Sequence, residues 1–184
     1  TSNCAFGLSA LKANTIASNN SAFGYLALFS NTTGASNTAV GMSALLSNTI
    51  GANNSAFGYK ALNANTGGVN NVAIGHSSLY SNTIGNNNIA IGLNSMYNNT
   101  TGVSNTVVGR SALQANTIGT KNNAFGYSAL YSNTTGVGNS AFGKDSLSSN
   151  TSGYNNSAFG SYSIYDITTA REYTAIGYNT GRGI

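Results

Sequence analysis

The groups able to do chemistry in this chain are few and far apart. Of 184 residues one is histidine, His76, one is cysteine, Cys4, and three are carboxylates, Asp145, Asp166 and Glu172. Acid–base, nucleophilic and metal-assisted catalysis each require several such groups converging on one point. Their spacing offers no convergence. His76 stands at a position where equivalent segments carry Tyr, Leu, Met, Arg or Lys, which is the behaviour of a variable, outward-facing surface site. Three symmetry-related copies of it would therefore not meet at an axis to hold a metal. Calcium-binding solenoids need an Asp in each loop, and the loops here carry Asn. The glycine spacing is not followed by the Lys-Ser/Thr of a phosphate-binding loop. These absences predict no enzyme activity, no cofactor and no metal site in this segment.

The chain repeats instead. Glycine recurs every seventeen residues, at 7, 24, 41, 58, 75, 92, 109, 126, 143, 160 and 177, with no insertion or deletion. A period held through eleven copies marks a solenoid, in which each copy buries its apolar face by stacking on its neighbours. Four residues before the glycine stands Asn in ten of eleven copies, replaced only by Tyr173. Eight residues after it Thr fills every available copy, and the residue before that Thr is Asn in nine of ten, broken by Ile167. A second glycine follows in eight of ten. The residue after the Thr alternates between Ile16, Ile50, Ile84 and Ile118 and, in most intervening copies, Thr33, Thr101, Thr135 and Thr169, which points to a 34-residue pair as a later duplication.

Composition sets further bounds. Only 5% of the residues are charged, against roughly a quarter in ordinary domains, so Asn, Ser, Thr and Tyr must provide solubility. Disorder is excluded by register, since Phe6, Phe23, Val40, Phe57, Ile74, Ile91, Val108, Phe125, Phe142, Phe159 and Ile176 fill one position of the repeat. The net charge of +4 comes from seven basic residues scattered over different repeat positions. Lys12, Lys60, Arg110, Lys121 and Lys144 stand at scattered positions of the unit and form no stripe, which argues against nucleic acid as a partner. A lone Cys4 permits no intrachain disulfide. No run of eighteen apolar residues is present to span a membrane. Both ends fall inside a repeat unit, as expected of a piece of a longer protein. Asn-Thr-Thr tripeptides such as Asn31-Thr32-Thr33 match N-glycosylation acceptors but arise from the repeat itself.

Seventeen residues with two glycines are too few for two helices and a turn. The Ala-Leu segments would suit a helix, but a helix is rarely reset by glycine after so few residues. Short apolar segments between Asn, Gly, Ser and Thr predict strands, and the expected fold is an all-β parallel β-solenoid with one 17-residue coil per repeat. Coils about 4.8 Å apart would make a rod of about 50 Å. Asn20, Asn31, Asn54 and Asn65 then stack in ladders, with Thr32 and Thr66 beside them and Gly24, Gly34, Gly58 and their equivalents at corners that need positive φ. Tyr25, Tyr59, Tyr80, Tyr97, Tyr127 and Tyr131 are candidate surface contacts able to stack on sugars, and equally able to cover the core. In both predicted strand segments neighbouring residues are apolar, as in Ala22-Phe23 and Ala27-Leu28. Strand alternation would turn one of each pair inward and leave the other facing water. An apolar row of that length predicts packing against identical chains, three around one axis being the simplest arrangement.

The runs Asn-Ser-Ala-Phe-Gly-Tyr-x-Ala-Leu and Asn-Thr-Ala-Val-Gly resemble the head repeats of trimeric autotransporter adhesins. Ala-Leu-Tyr-Ser-Asn-Thr-Thr-Gly at 129–136 is similar to repeats of phage and large-virus tail or surface fibres. The resemblance covers almost the whole chain and departs from the adhesin heads in its longer unit. It implies a left-handed, homotrimeric β-roll or β-helix outside a cell or virion, acting as a structural and adhesive fibre segment. Its partners would be further copies of itself and a host surface or glycan. Residues 1–160 read as the regular solenoid, and 161–184 as a divergent terminal coil, either a cap or the approach to a following domain. Two other functions fit the repeat: ice binding through the Thr row, and end-to-end self-assembly into an extracellular filament through unpaired strand edges.

Overall fold

A computed structural model describes residues 2–182, and it is a parallel β-solenoid with one short strand per coil. The strands are β1 (Cys4–Phe6), β2 (Ser21–Phe23), β3 (Thr38–Val40), β4 (Ser55–Phe57), β5 (Val72–Ile74), β6 (Ile89–Ile91), β7 (Thr106–Val108), β8 (Asn123–Phe125), β9 (Ser140–Phe142), β10 (Ser157–Phe159) and β11 (Thr174–Ile176). They form one sheet in sequence order, and the register advances by one repeat per strand, as in Ala22↔Ala39↔Ala56. Three residues make a strand here because each Ser-Ala-Phe triplet is closed by a glycine. Ala22 points inward and is fully buried, while Ser21 and Phe23 point outward.

Backbone pairing continues beyond the strands. The Leu28 N–H donates to the Ala44 carbonyl at 3.0 Å and the Ser30 N–H to Leu46 at 3.1 Å, both toward the next coil, whereas the Ser36 N–H donates back to Ser18 at 3.0 Å. Each coil is thus bonded to both neighbours at several points around its circumference, as the evenly spaced bonds of a parallel ladder require.

The second apolar segment departs from expectation. It is a chain of turns rather than a strand, and Ala27 and Leu28 are both fully buried. The reason is backbone handedness: Leu26 and Leu28 have φ of 58° and 51°, and the same two positions are left-handed in every coil. A left-handed residue breaks the two-residue alternation of a strand, so consecutive side chains can both face inward. The conformation costs a non-glycine residue about 1–2 kcal/mol, and full burial of a leucine side chain returns about 1.5–3 kcal/mol. The second segment therefore leaves no apolar row in water, which corrects the expectation for it, and of the two segments only the strand does.

The interior is a set of columns along the axis: alanines from the strands, Ala or Ser from the second segment, and Leu28, Leu45, Leu62, Leu79, Met96, Leu113, Leu130, Leu147 and Ile164. Where Ser replaces Ala its hydroxyl is satisfied. Ser78 Oγ donates to the Ala90 carbonyl at 2.8 Å and lies 3.0 Å from Ser95 Oγ.

The two glycines of the unit are needed for different reasons. Gly24 has φ 137°, and a Cβ there would sit 2.7 Å from the Gly41 carbonyl oxygen. Gly34 does not adopt positive φ, which corrects the expectation for this corner. Its requirement is close approach, because a Cβ would fall 2.6 Å from Asn31 Oδ1 and on the Gly51 carbonyl. The terminal segment expected to diverge continues the coil as far as β11, whose Thr174 pairs in register with Ser157. Positions 183 and 184 lie outside the described residues.

Candidate interaction surfaces

The side chains most regular in sequence point inward. In one Asn ladder, the Asn48 amide donates to Asn31 Oδ1 at 2.7 Å and to the Gly51 carbonyl at 2.9 Å. Asn65 repeats this with Asn48 at 2.8 Å. In the other ladder the backbone N–H of Asn37 donates to Asn20 Oδ1 at 2.9 Å, and the N–H and amide of Asn54 donate to Asn37 Oδ1 at 3.0 and 3.1 Å. The two ladders converge, since Asn37 also donates to the Gly51 carbonyl, at 2.8 Å. These asparagines are buried and their hydrogen-bonding capacity is spent on the fold. Among the described residues one buried side-chain oxygen lacks a partner: Asn150 Oδ1, whose neighbour in the next coil is Ile167.

The Thr row is partly buried or exposed but is engaged along the axis. Thr32 Oγ1 donates to the Thr49 carbonyl at 3.0 Å, and Thr66 Oγ1 to that of Thr83 at 3.2 Å. Beside it the alternating row has a packing logic. A Cβ on Gly67 would lie 3.5 Å from Ile50 and 3.8 Å from Ile84, so large side chains two coils apart close over the small residue between them.

Two outward features are not consumed by the fold. The first is the outer face of the sheet, where the Phe row stands. Phe125, Phe142 and Phe159 stack with parallel rings 4.9 and 5.0 Å apart, centre to centre. Even with neighbours on both sides Phe23 remains 40% exposed.

The second is the edge that follows the unit glycine. The first, second and fifth residues after that glycine share it, as the contacts of Tyr162 with Tyr165 (5.5 Å) and with Tyr178 of the next coil (6.1 Å) demonstrate. All six sequence-predicted tyrosines stand at these positions: Tyr25, Tyr59 and Tyr127 at the first, Tyr80, Tyr97 and Tyr131 at the fifth. The rings of Tyr80 and Tyr97 stack parallel at 4.9 Å, and Tyr59 lies 4.9 Å from the His76 ring.

Five of the seven basic residues are on the same edge, each over an aromatic ring. Lys12 lies over Phe29 at 5.6 Å, Lys60 over Tyr59 at 5.1 Å, Arg110 over Tyr127 at 5.8 Å, Lys144 over Tyr162 at 5.1 Å and Arg182 over Tyr165 at 5.1 Å. Hydrogen bonding to Tyr59 and its field hold the Lys60 ammonium above the ordinary lysine pKa, and Tyr162 does the same for Lys144. The basic residues look scattered over the unit because the edge gathers three of its positions, the first, second and fifth after the glycine, which the turns of the coil bring together. Lys12 and Phe29, like Arg110 and Tyr127, are then neighbours seventeen residues apart. Among the described residues no three His, Cys, Asp or Glu side chains gather closely enough to hold a metal ion.

Comparison with protein-family models, curated proteins and solved structures yields no match.

Proposed function

We propose that this chain is a structural and adhesive fibre segment, a rigid spacer on the outside of a cell or virion, built as a homotrimer with left-handed coils. The observation that carries the reading is the Phe row. The interior of the coil is already filled by Ala and Leu, yet a line of Phe, Val and Ile runs along the outer face of the sheet through every coil. Apolar rows of that length mark association surfaces. Three chains packed about one axis would bury the row in a shared core. The axial hydrogen-bonded ladders supply the stiffness that a spacer requires, and the Tyr edge supplies contact area for adhesion. The role is mechanical rather than catalytic. The Thr row gives less support to an ice-binding role, because its hydroxyl protons are already donated to backbone carbonyls.

Native mass by light scattering on a sizing column tests the proposal. Three chains per particle supports it. A stable monomer overturns the trimer, and an open-ended mass distribution replaces it with filament growth.

A further inference from the structure

The Tyr edge has a charge character that the net charge conceals. All three carboxylates lie at or after residue 145, so the first 144 residues hold five cations and no acid. Among the described residues ion pairs form only at Lys144–Asp145 (3.8 Å) and Arg182–Asp166 (3.0 Å), both at the C-terminal end. Lys12, Lys60 and Arg110 thus stand on one edge with aromatic rings and no carboxylate beside them. Tyr59 lies beneath Lys60, and the stacked pair Tyr80 and Tyr97 fills the two coils between Lys60 and Arg110.

We propose that this edge binds a linear, sparsely charged anionic polysaccharide, with one carboxylate or sulfate per two or three sugar rings, laid along the solenoid axis. Sugar rings would rest on Tyr59, Tyr80 and Tyr97, and Lys12, Lys60 and Arg110 would pair with carboxylate or sulfate groups. Spacing selects this ligand over single-stranded nucleic acid, the other chain that uses aromatic rings and cations together. Lys12 and Lys60 belong to coils three apart, as do Lys60 and Arg110, which at the parallel-strand spacing is about 15 Å. Nucleic acid carries a phosphate about every 3.4 Å of stacked strand, and would leave most of its charges unmet on such an edge. A glycan with one anionic group per few sugar rings meets each cation once. Arginine and lysine held over rings lose little freedom on pairing, and repetition along the rod turns weak single contacts into useful avidity. The inference rests on the adhesive part of the reading above and not on the trimer.

The test immobilises hyaluronan, which carries one carboxylate per two rings, a lightly sulfated dextran, unsubstituted dextran and poly(dT), and measures binding of the whole chain at about physiological salt, where long-range attraction is screened. The expected result is binding to hyaluronan or the lightly sulfated dextran, none to dextran, and weaker binding to poly(dT). The double variant Lys60→Gln/Arg110→Gln should bind about tenfold more weakly, and Tyr80→Ala/Tyr97→Ala by a similar factor. Lys121→Gln, which removes the same charge away from this edge, should bind as wild type. Equal losses for Lys121→Gln and Lys60→Gln would overturn the site in favour of bulk charge. Tighter binding to poly(dT) would assign the edge to nucleic acid, and no binding to either anionic glycan would dismiss it. Circular dichroism and native mass recorded for each variant keep the two proposals separable. A monomer that binds hyaluronan sinks the trimer alone, and a trimer that binds neither glycan sinks this site alone.

Discussion

The side-chain amide of Asn48 donates to Asn31, one full coil earlier, across 2.7 Å. The same amide donates to its own coil's Gly51 carbonyl, and Asn48 Oδ1 accepts from Asn65, so one buried side chain ties three coils together. Asn150 occupies the equivalent place at the end of the ladder. It donates to Asn133 at 2.8 Å, but its own oxygen accepts nothing.

That asymmetry predicts unequal costs. Asn48→Ala strands both the Asn31 oxygen and one proton of the Asn65 amide, whereas Asn150→Ala strands only the Asn133 oxygen. The glycine carbonyl keeps its second donor in both cases, from Asn37 and from Asn139. A buried unsatisfied group costs about 1–3 kcal/mol, so Asn48→Ala should be the more destabilising by about that amount. Urea unfolding of the two variants checks it, and equal midpoints would show that the ladder is not cooperative between coils.

Glycine substitutions should depend on whether another coil follows. Gly24→Ala places a Cβ 2.7 Å from a backbone oxygen of the next coil, in addition to the strain of φ 137°. Gly177, in the last described coil, has φ 121°, and among the described residues its Cβ would meet only Thr180, at 3.2 Å. We expect Gly24→Ala to cost more than about 3 kcal/mol, in the range of overpacked or strained sites, and Gly177→Ala about 1–2 kcal/mol. Thermal melts of both decide the matter.

The Lys144 ammonium is hydrogen-bonded to the Tyr162 hydroxyl at 2.8 Å and its pKa is raised. A raised folded-state value means the charged form is favoured in the fold. Its contribution is therefore complete below the ordinary lysine pKa of 10.5 and is lost as the pH climbs through the higher folded value. Tyr162→Phe should lower the Lys144 pKa toward its ordinary value and lower stability by the same small amount at every pH between 5 and about 9, with no pH dependence across that range. Nuclear magnetic resonance titration of the Lys144 side chain reads the first effect, and melts across that pH range read the second.

The coil and its register were legible in the sequence because their cause is steric and local. A Cβ at Gly24 collides with the next coil, so the glycine cannot drift and the period stays visible. The inward turn of Leu28 was not legible, because a left-handed leucine runs against local preference and is stabilised only by the closed core it enters. The cation–aromatic edge was hidden for a different reason: Lys12, Lys60 and Arg110 stand at three different positions of the unit, and only the turns of the coil bring those positions to one edge.

The Phe row offers the sharpest separation between folding and assembly. Phe125, Phe142 and Phe159 point away from the interior, whose Ala124, Ala141 and Ala158 are fully buried on the opposite face of the same strands. Replacing the three phenylalanines with Ser leaves the interior columns and both Asn ladders in place, so the coil should keep its circular dichroism spectrum. It loses apolar area that only association can bury, at about 25 cal/mol per Å². Under the proposed trimer, the expected outcome is a folded particle of one-third the parent mass at micromolar concentration. A variant that stays trimeric would move the interface elsewhere, and the exposed row of Ile16, Ile50, Ile84 and Ile118 is the surface to substitute next.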